Sequence, residues 1–197
     1  MATKSRDKKN KKLVKEAAKK PEKTLLKLDL ACGQNKTPGY TGVDIAKVEG
    51  VDIVHDLLSF PWPFKDGSVE TIVSNHFFEH VPGPLRGKFM NEVWRVLVED
   101  GTATFVTPFY LSVRAQQDYT HAWPGISEYT YQYFNKAWRE ANKLTHYEAS
   151  CDFDWGWKFT INGKWASRQQ EFLQENIHTI PNLVDDISVT VTKKVGR

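Results

Sequence analysis

The chain has 197 residues, 40% of them hydrophobic and 26% charged, with seven Trp, seven Tyr and eleven Phe. This balance predicts one globular domain with a sizeable core and excludes disorder over most of the length. No apolar run approaches the ~18 residues of a membrane span, and the first residues lack the apolar core of a signal peptide.

The net charge of +3 is unevenly spread. Residues 1–23 hold ten Lys and Arg against three Asp and Glu, a net +7, which leaves seventeen against twenty-one, a net −4, in residues 24–197. The expected organisation is a basic flexible tail over 1–23 and a folded body over 24–197. Such a tail can hold RNA, DNA or another acidic surface through salt-dependent contacts, and a solvated, solubilising tail is the plainer reading. The two cysteines, Cys32 and Cys151, form no metal-type pair, so a reduced, cytoplasmic setting is the simplest expectation.

In chain order, Leu25–Leu30 predicts a first strand, followed by the small-residue turn Ala31-Cys32-Gly33. Residues 31–40 are too few for a full crossover helix, which takes roughly a dozen residues, and Pro38-Gly39 marks a turn. Thr41–Asp44 predicts strand two, and Val51–Val54 strand three, ending at His55-Asp56. Beyond the loop Phe60–Phe64 and the turn Lys65–Ser68, Val69–Ser74 predicts strand four, which runs into Asn75-His76-Phe77-Phe78-Glu79-His80-Val81. Leu85, Phe89, Val93, Val96 and Leu97 have the spacing of an amphipathic helix over Leu85–Leu97. Val98–Gly101 reads as a turn and Thr102–Val106 as strand five. Tyr129–Lys143 predicts a second helix, and Cys151–Ile161 and Asp186–Thr192 two last strands with a short helix between them. Strands alternating with helices imply an α/β sheet.

A strand, a glycine turn, a second strand and a carboxylate form the pattern that grips nucleotide-like ligands at the carboxyl ends of parallel strands. Gly33 lets the backbone approach a ligand, and Asp44 at the tip of strand two can accept both hydroxyls of a ribose. The same residues equally fit a glycine that only turns the chain and an acid on the surface, because the three-glycine fingerprint is absent.

The order of signals resembles the class I S-adenosylmethionine-dependent methyltransferases, in particular the branch of ubiquinone-biosynthesis-type and sugar-associated enzymes. The resemblance rests on LDLACG at 28–33, GVDI at 42–45, VDIVHDL at 51–57, FPWPFKDGSVETIVSNHFFEHV at 60–81 and FMNEVWRVLVEDGTATFVTP at 89–108. It implies an α/β, Rossmann-like sheet of seven strands, order 3-2-1-4-5-7-6 with strand 7 antiparallel, here with a very short first crossover helix. It also implies S-adenosylmethionine as cofactor. In such a site Asp29, Ala31, Cys32 and Gly33 form the loop against the methionine half. Asp44 and Ile45 meet the ribose, Asp56 and Leu57 frame the adenine, and Asn75 and His76 close the pocket near the methyl group. Gln34-Asn35, where relatives carry further glycines, departs from the pattern.

The donor sulfonium is already activated, so the protein mainly aligns the acceptor and excludes water. An oxygen acceptor also needs a base, and histidine is the natural one. His76 and His121 are the candidates. His121 lies in Asp118-Tyr119-Thr120-His121, which resembles the segment that roofs the acceptor pocket in sugar- and quinone-type relatives. Each histidine also fits a capping or structural role, and His80 reads as a loop support. Phe77, Phe78, Trp155, Trp157 and Trp165 read as core and lid packing. No His, Cys, Asp and Glu cluster shows metal-ligand spacing, so no metal is expected. Strand four ends Asn75-His76 without the Pro-Pro-aromatic signature of base or glutamine methylation. The expected acceptor is a small or sugar-like molecule. A nucleic-acid-associated protein guided by the tail, or a degenerate cofactor fold with a structural role, are the alternatives.

Overall fold

The computed structural model describes residues 24–194, so the expectation of a basic tail over 1–23 lies outside the described residues. Seven strands, β1 (Leu26–Leu30), β2 (Thr41–Asp44), β3 (Ile53–Val54), β4 (Val69–Asn75), β5 (Leu97–Pro108), β6 (Phe153–Ile161) and β7 (Val184–Lys193), form one sheet. Their order is β3-β2-β1-β4-β5-β7-β6. The first five run parallel, and β7 pairs antiparallel with both β5 and β6. This is the expected doubly wound arrangement.

Strands covered on both faces need apolar residues at successive positions, and the last three residues of β1, Leu28, Asp29 and Leu30, are all buried. The helix α1 (Gly83–Val96) follows Pro82, carries Pro84 in its first turn and buries Arg86, Phe89, Met90, Val93 and Val96. That stripe packs under the sheet because it recurs every three to four residues. Phe78, Phe89, Phe105, Tyr131 and Phe134 pack ring to ring in the centre, with centroids 5.4–6.3 Å apart.

Two boundaries differ from expectation. The turn expected at Val98–Gly101 lies inside β5: Leu97 pairs with Val69 and Thr102 with Thr71, and the residues between bulge out with Asp100 at φ 59°. The single helix expected over Tyr129–Lys143 is two pieces, a 3-10 helix at Glu128–Phe134 and α3 (Lys136–Ala141), after the short α2 (Val113–Gln117). Asn135 breaks it. Its side-chain oxygen accepts the Trp138 N–H at 2.9 Å and its amide donates to the Phe153 carbonyl at 2.8 Å, so a residue that competes with the backbone caps a helix and ties it to β6. The last helix, α4 (Gln170–Asn176), is the expected short one.

Candidate functional site

Between β1 and β2, residues 31–40 contain turns and no helix. Ala31 (φ 56°) and Gly33 (φ 50°) are both left-handed, which curls the loop back over the strand ends. Ala31 N–H donates to the Val43 carbonyl at 2.7 Å. A Cβ on Gly33 would meet nothing within 4 Å, so the glycine keeps an open face. Gly42 is the opposite case: a Cβ there would lie 2.7 Å from Cys32 Sγ and from the Gly50 carbonyl. The sequence pattern shows Gly42 only as a strand residue, yet it is what lets Cys32 fold down on β2.

Three carboxylates then fix the loop. Buried Asp29 accepts the Thr37 N–H at 2.7 Å. Asp44 accepts Gly33 N–H at 2.9 Å on one oxygen and Ala46 N–H at 2.8 Å on the other. Asp52 accepts Gly42 N–H at 2.7 Å and pairs with Lys36 at 2.8 Å, and these bonds hold its carboxyl below the usual carboxylate range. Asp52 had no role in the sequence reading; its signal is an acid one residue before β3. Asp56 is exposed and accepts from Leu58 N–H at 2.9 Å and the Ser59 hydroxyl at 3.0 Å. Leu57 is buried and its carbonyl accepts the Trp62 indole N–H at 3.1 Å. Ile45 is 68% exposed.

At the end of β4, Asn75 and His76 are both exposed. His76 is left-handed (φ 54°), a strained backbone for a residue of that bulk, and its N–H donates to the Val106 carbonyl at 2.8 Å. The turn throws its ring back toward Glu79: Nδ1 lies 3.4 Å from Oε1, an ion-pair distance that is long for an N–H···O bond. The carboxylate facing it raises the imidazole's pKa, against the opposing effect of burial.

The segment after β5 docks on the same place. Ala122 N–H donates to the Glu79 carbonyl at 2.8 Å. Buried Arg86 of α1 donates to the carbonyls of Val81 (3.0 Å), Pro124 (2.7 Å) and Ala122 (3.1 Å), and burial lowers its pKa to about 10. His121 is thereby brought beside His80, ring centroids 4.8 Å apart and edge to face. A cavity of about 140 Å³ opens here, lined in part by Glu79, Pro108, Asp118, His121 and Trp123. So the structure brings Asp29, Ala31, Cys32, Gly33 and Asp44 into one loop. It sets His76 and His121 on either side of Glu79, a residue the sequence reading did not single out. Both carboxylate oxygens of Glu79 are buried without a hydrogen-bond partner among the described residues.

The sheet order defines the class I methyltransferase fold. Residues 28–105 match the family model described as a methyltransferase domain. The matched segment runs from β1 into β5, so this part of the chain is similar to a methyltransferase domain in sequence as well as in fold. It is similar in fold to an S-adenosylmethionine-dependent methyltransferase of Archaeoglobus fulgidus, at 16% identity and TM-score 0.60 over 87% of each chain. It is also similar, at 16% identity and TM-score 0.55 over 98% of this chain and 95% of that one, to a chain from the Haloferax volcanii complex of the Trm112 methyltransferase activator with a methyltransferase. No curated protein matches the sequence. No described helix is long and apolar enough to cross a membrane.

Proposed function

We propose that the chain methylates a small-molecule or sugar-like acceptor held between the end of β4 and the segment that follows β5. Bound S-adenosylmethionine supplies a sulfonium methyl group. The residues present suit that cofactor: Gly33 leaves an open backbone face, and each Asp44 oxygen, used once by a backbone N–H, keeps a lone pair for a ribose hydroxyl. Asp29 holds the loop through Thr37, Cys32 and Ala31 shape its floor, Ile45 and Leu57 offer apolar edges, and Asp56 faces outward for the adenine amine. Asn75 closes the methionine side.

The observation that carries the reading is His76, held in a left-handed turn at the tip of β4 with the buried Glu79 carboxylate behind it. Strain of this kind persists where the surroundings impose it, and here it sets a half-exposed imidazole against Glu79, which itself lines the acceptor cavity. His76 takes the proton that an acceptor hydroxyl loses as its oxygen attacks. His121 lines the acceptor cavity with Asp118 and Trp123. About 140 Å³ admits a small group, which supports a small acceptor or the end of one.

The test is transfer of labelled methyl from S-adenosylmethionine into small-molecule extracts and, in parallel, into RNA and DNA, with the full chain and with residues 1–23 removed. Label in a small molecule, kept after truncation and lost with His76→Ala, is the expected result. Label in nucleic acid that disappears with the tail overturns the acceptor assignment in favour of a nucleic-acid substrate.

A further inference from the structure

We propose that Glu79, His80 and His121 bind one divalent transition-metal ion of the borderline class, zinc first. Each of the three offers one ligand atom, and these atoms lie within 4.8 Å of one another. Two imidazoles and a carboxylate suit such ions, and three protein ligands leave a further coordination position open. At metal–ligand distances of 2.0–2.1 Å the donors would sit about 3.4 Å apart in a tetrahedral site, so small side-chain rotations close it.

Glu79 is the independent observation. Its side chain is 6% exposed, and neither oxygen has a hydrogen-bond partner among the described residues. A buried carboxylate without donors is costly unless a charge compensates it. Arg86 and Tyr131 also face Glu79 electrostatically, but all the guanidinium bonds go to carbonyls, and the Tyr131 hydroxyl has no partner either. His76 reaches Oε1 alone, at 3.4 Å. Oε2 is left for a cation.

The two histidines are held as ligands are held. The Ala115 carbonyl, 3.1 Å from His121 Nδ1, can only accept, so that nitrogen carries the proton and Nε2 keeps its lone pair. The Thr120 hydroxyl donates its one proton to Asp118 Oδ1 at 2.6 Å. It therefore accepts from His80 Nδ1 at 3.0 Å, and His80 Nε2 is free as well. Outer partners that fix the tautomer and aim the ring are the usual support of metal-binding imidazoles. His121 and Glu79 both line the 140 Å³ cavity, so the open position of the ion faces the acceptor space. There an acceptor hydroxyl or water would be acidified by the ion.

The experiment uses the full chain stripped with a chelator, titrated with Zn²⁺ by calorimetry and with Co²⁺ by visible absorption. Cofactor affinity and thermal unfolding are followed alongside. One equivalent of Zn²⁺ should bind, a Co²⁺ ligand-field band should appear, and the unfolding temperature should rise. Glu79→Gln and His121→Ala should each weaken Zn²⁺ at least tenfold while the cofactor still binds. Thr120→Val, which touches no ion, should weaken it by a smaller factor. Absence of Zn²⁺ binding in the wild type, or equal affinity in folded Glu79→Gln and wild type, overturns the proposal. Residues 1–23 contain no His or Cys to mimic the site. None of these readouts depends on methyl transfer, so failure here leaves the acceptor reading standing and the converse also holds.

Discussion

Asp29, Asp44, Asp52 and Asp56, on the β1–β3 side of the sheet, each accept a backbone N–H at 2.7–2.9 Å. Glu79, Glu128 and Asp186, on the side beyond β4 and β5, each keep a buried oxygen with no hydrogen-bond partner among the described residues, although His178 pairs with Glu128 at 2.8 Å and Arg114 with Asp186 at 2.6 Å. The first region is a finished cradle. A helix-free loop is rigid there because carboxylates supply the partners that a helix would have given its N–H groups. The second region holds buried polar atoms without partners among the described residues, and at Glu79 the proposed reading has something bound complete them. On the proposed reading, one side holds a cofactor in a loop already fixed, and the other is satisfied by acceptor or ion.

The contrast can be broken most directly at Asp44. Asp44→Ala removes the clamp on Gly33 and the proposed ribose acceptor together, and it should weaken S-adenosylmethionine binding at least 100-fold by calorimetry. Unchanged binding would sink the ribose assignment. Next is Gly42→Ala, which forces Cβ onto Cys32 Sγ and the Gly50 carbonyl. Thermal or urea unfolding should show a loss of about 2 kcal/mol.

Glu92 extends the satisfied class outside the site. It takes two bonds from Arg95, at 2.9 and 2.7 Å, and one from Trp62 N–H at 2.7 Å. Burial alone would raise its pKa, but the Arg95 and Trp62 bonds outweigh that and set it below the ordinary value. A carboxyl depressed in the fold stabilises above its unfolded pKa and loses that contribution as pH falls through the folded one. Glu92→Gln should therefore cost about 2 kcal/mol near neutral pH. In urea unfolding the gap to wild type should close below about pH 4. A gap that persists in acid would place the effect in packing instead.

The smallest effect is the sharpest. In the chelator-treated chain, Glu79→Gln should leave unfolding free energy within about 1 kcal/mol of wild type or above it, because it removes a buried charge that lacks donors. A loss as large as that at Glu92 would mean that Glu79 is as well satisfied as the acids of the cradle.

Parts of this were legible in the chain. The runs at 26–30, 41–44 and 69–75 are apolar strands whose periodicity and turn residues are local, so the α/β class followed from the sequence, and the strand order from what the resemblance of its motifs implies. Gly33 and Asp44 stood out from the pattern of strand, glycine turn, strand and carboxylate, and Asp29 from the resemblance of its motif. The helix over 129–143 was misread because its periodicity hides Asn135, whose side chain finds partners in β6 and the following turn that no local pattern reveals. The bulge at Asp100 was read as a turn before strand five, because the pairing of Leu97 with Val69 that extends the strand across it is not local.

By itself the sequence determined alternating strands and helices of an α/β sheet and a short glycine loop ending in an acid after the first strand, because each of those signals is set by residues close together in the chain. The tertiary structure decided the other half. Glu79 and His80 meet His121 because β4 and β5 are neighbours and Arg86 pins the later segment by its carbonyls. Residues so far apart in the chain carry no spacing to read. Their common chemistry, a buried carboxylate between three imidazoles, exists once the strands are paired.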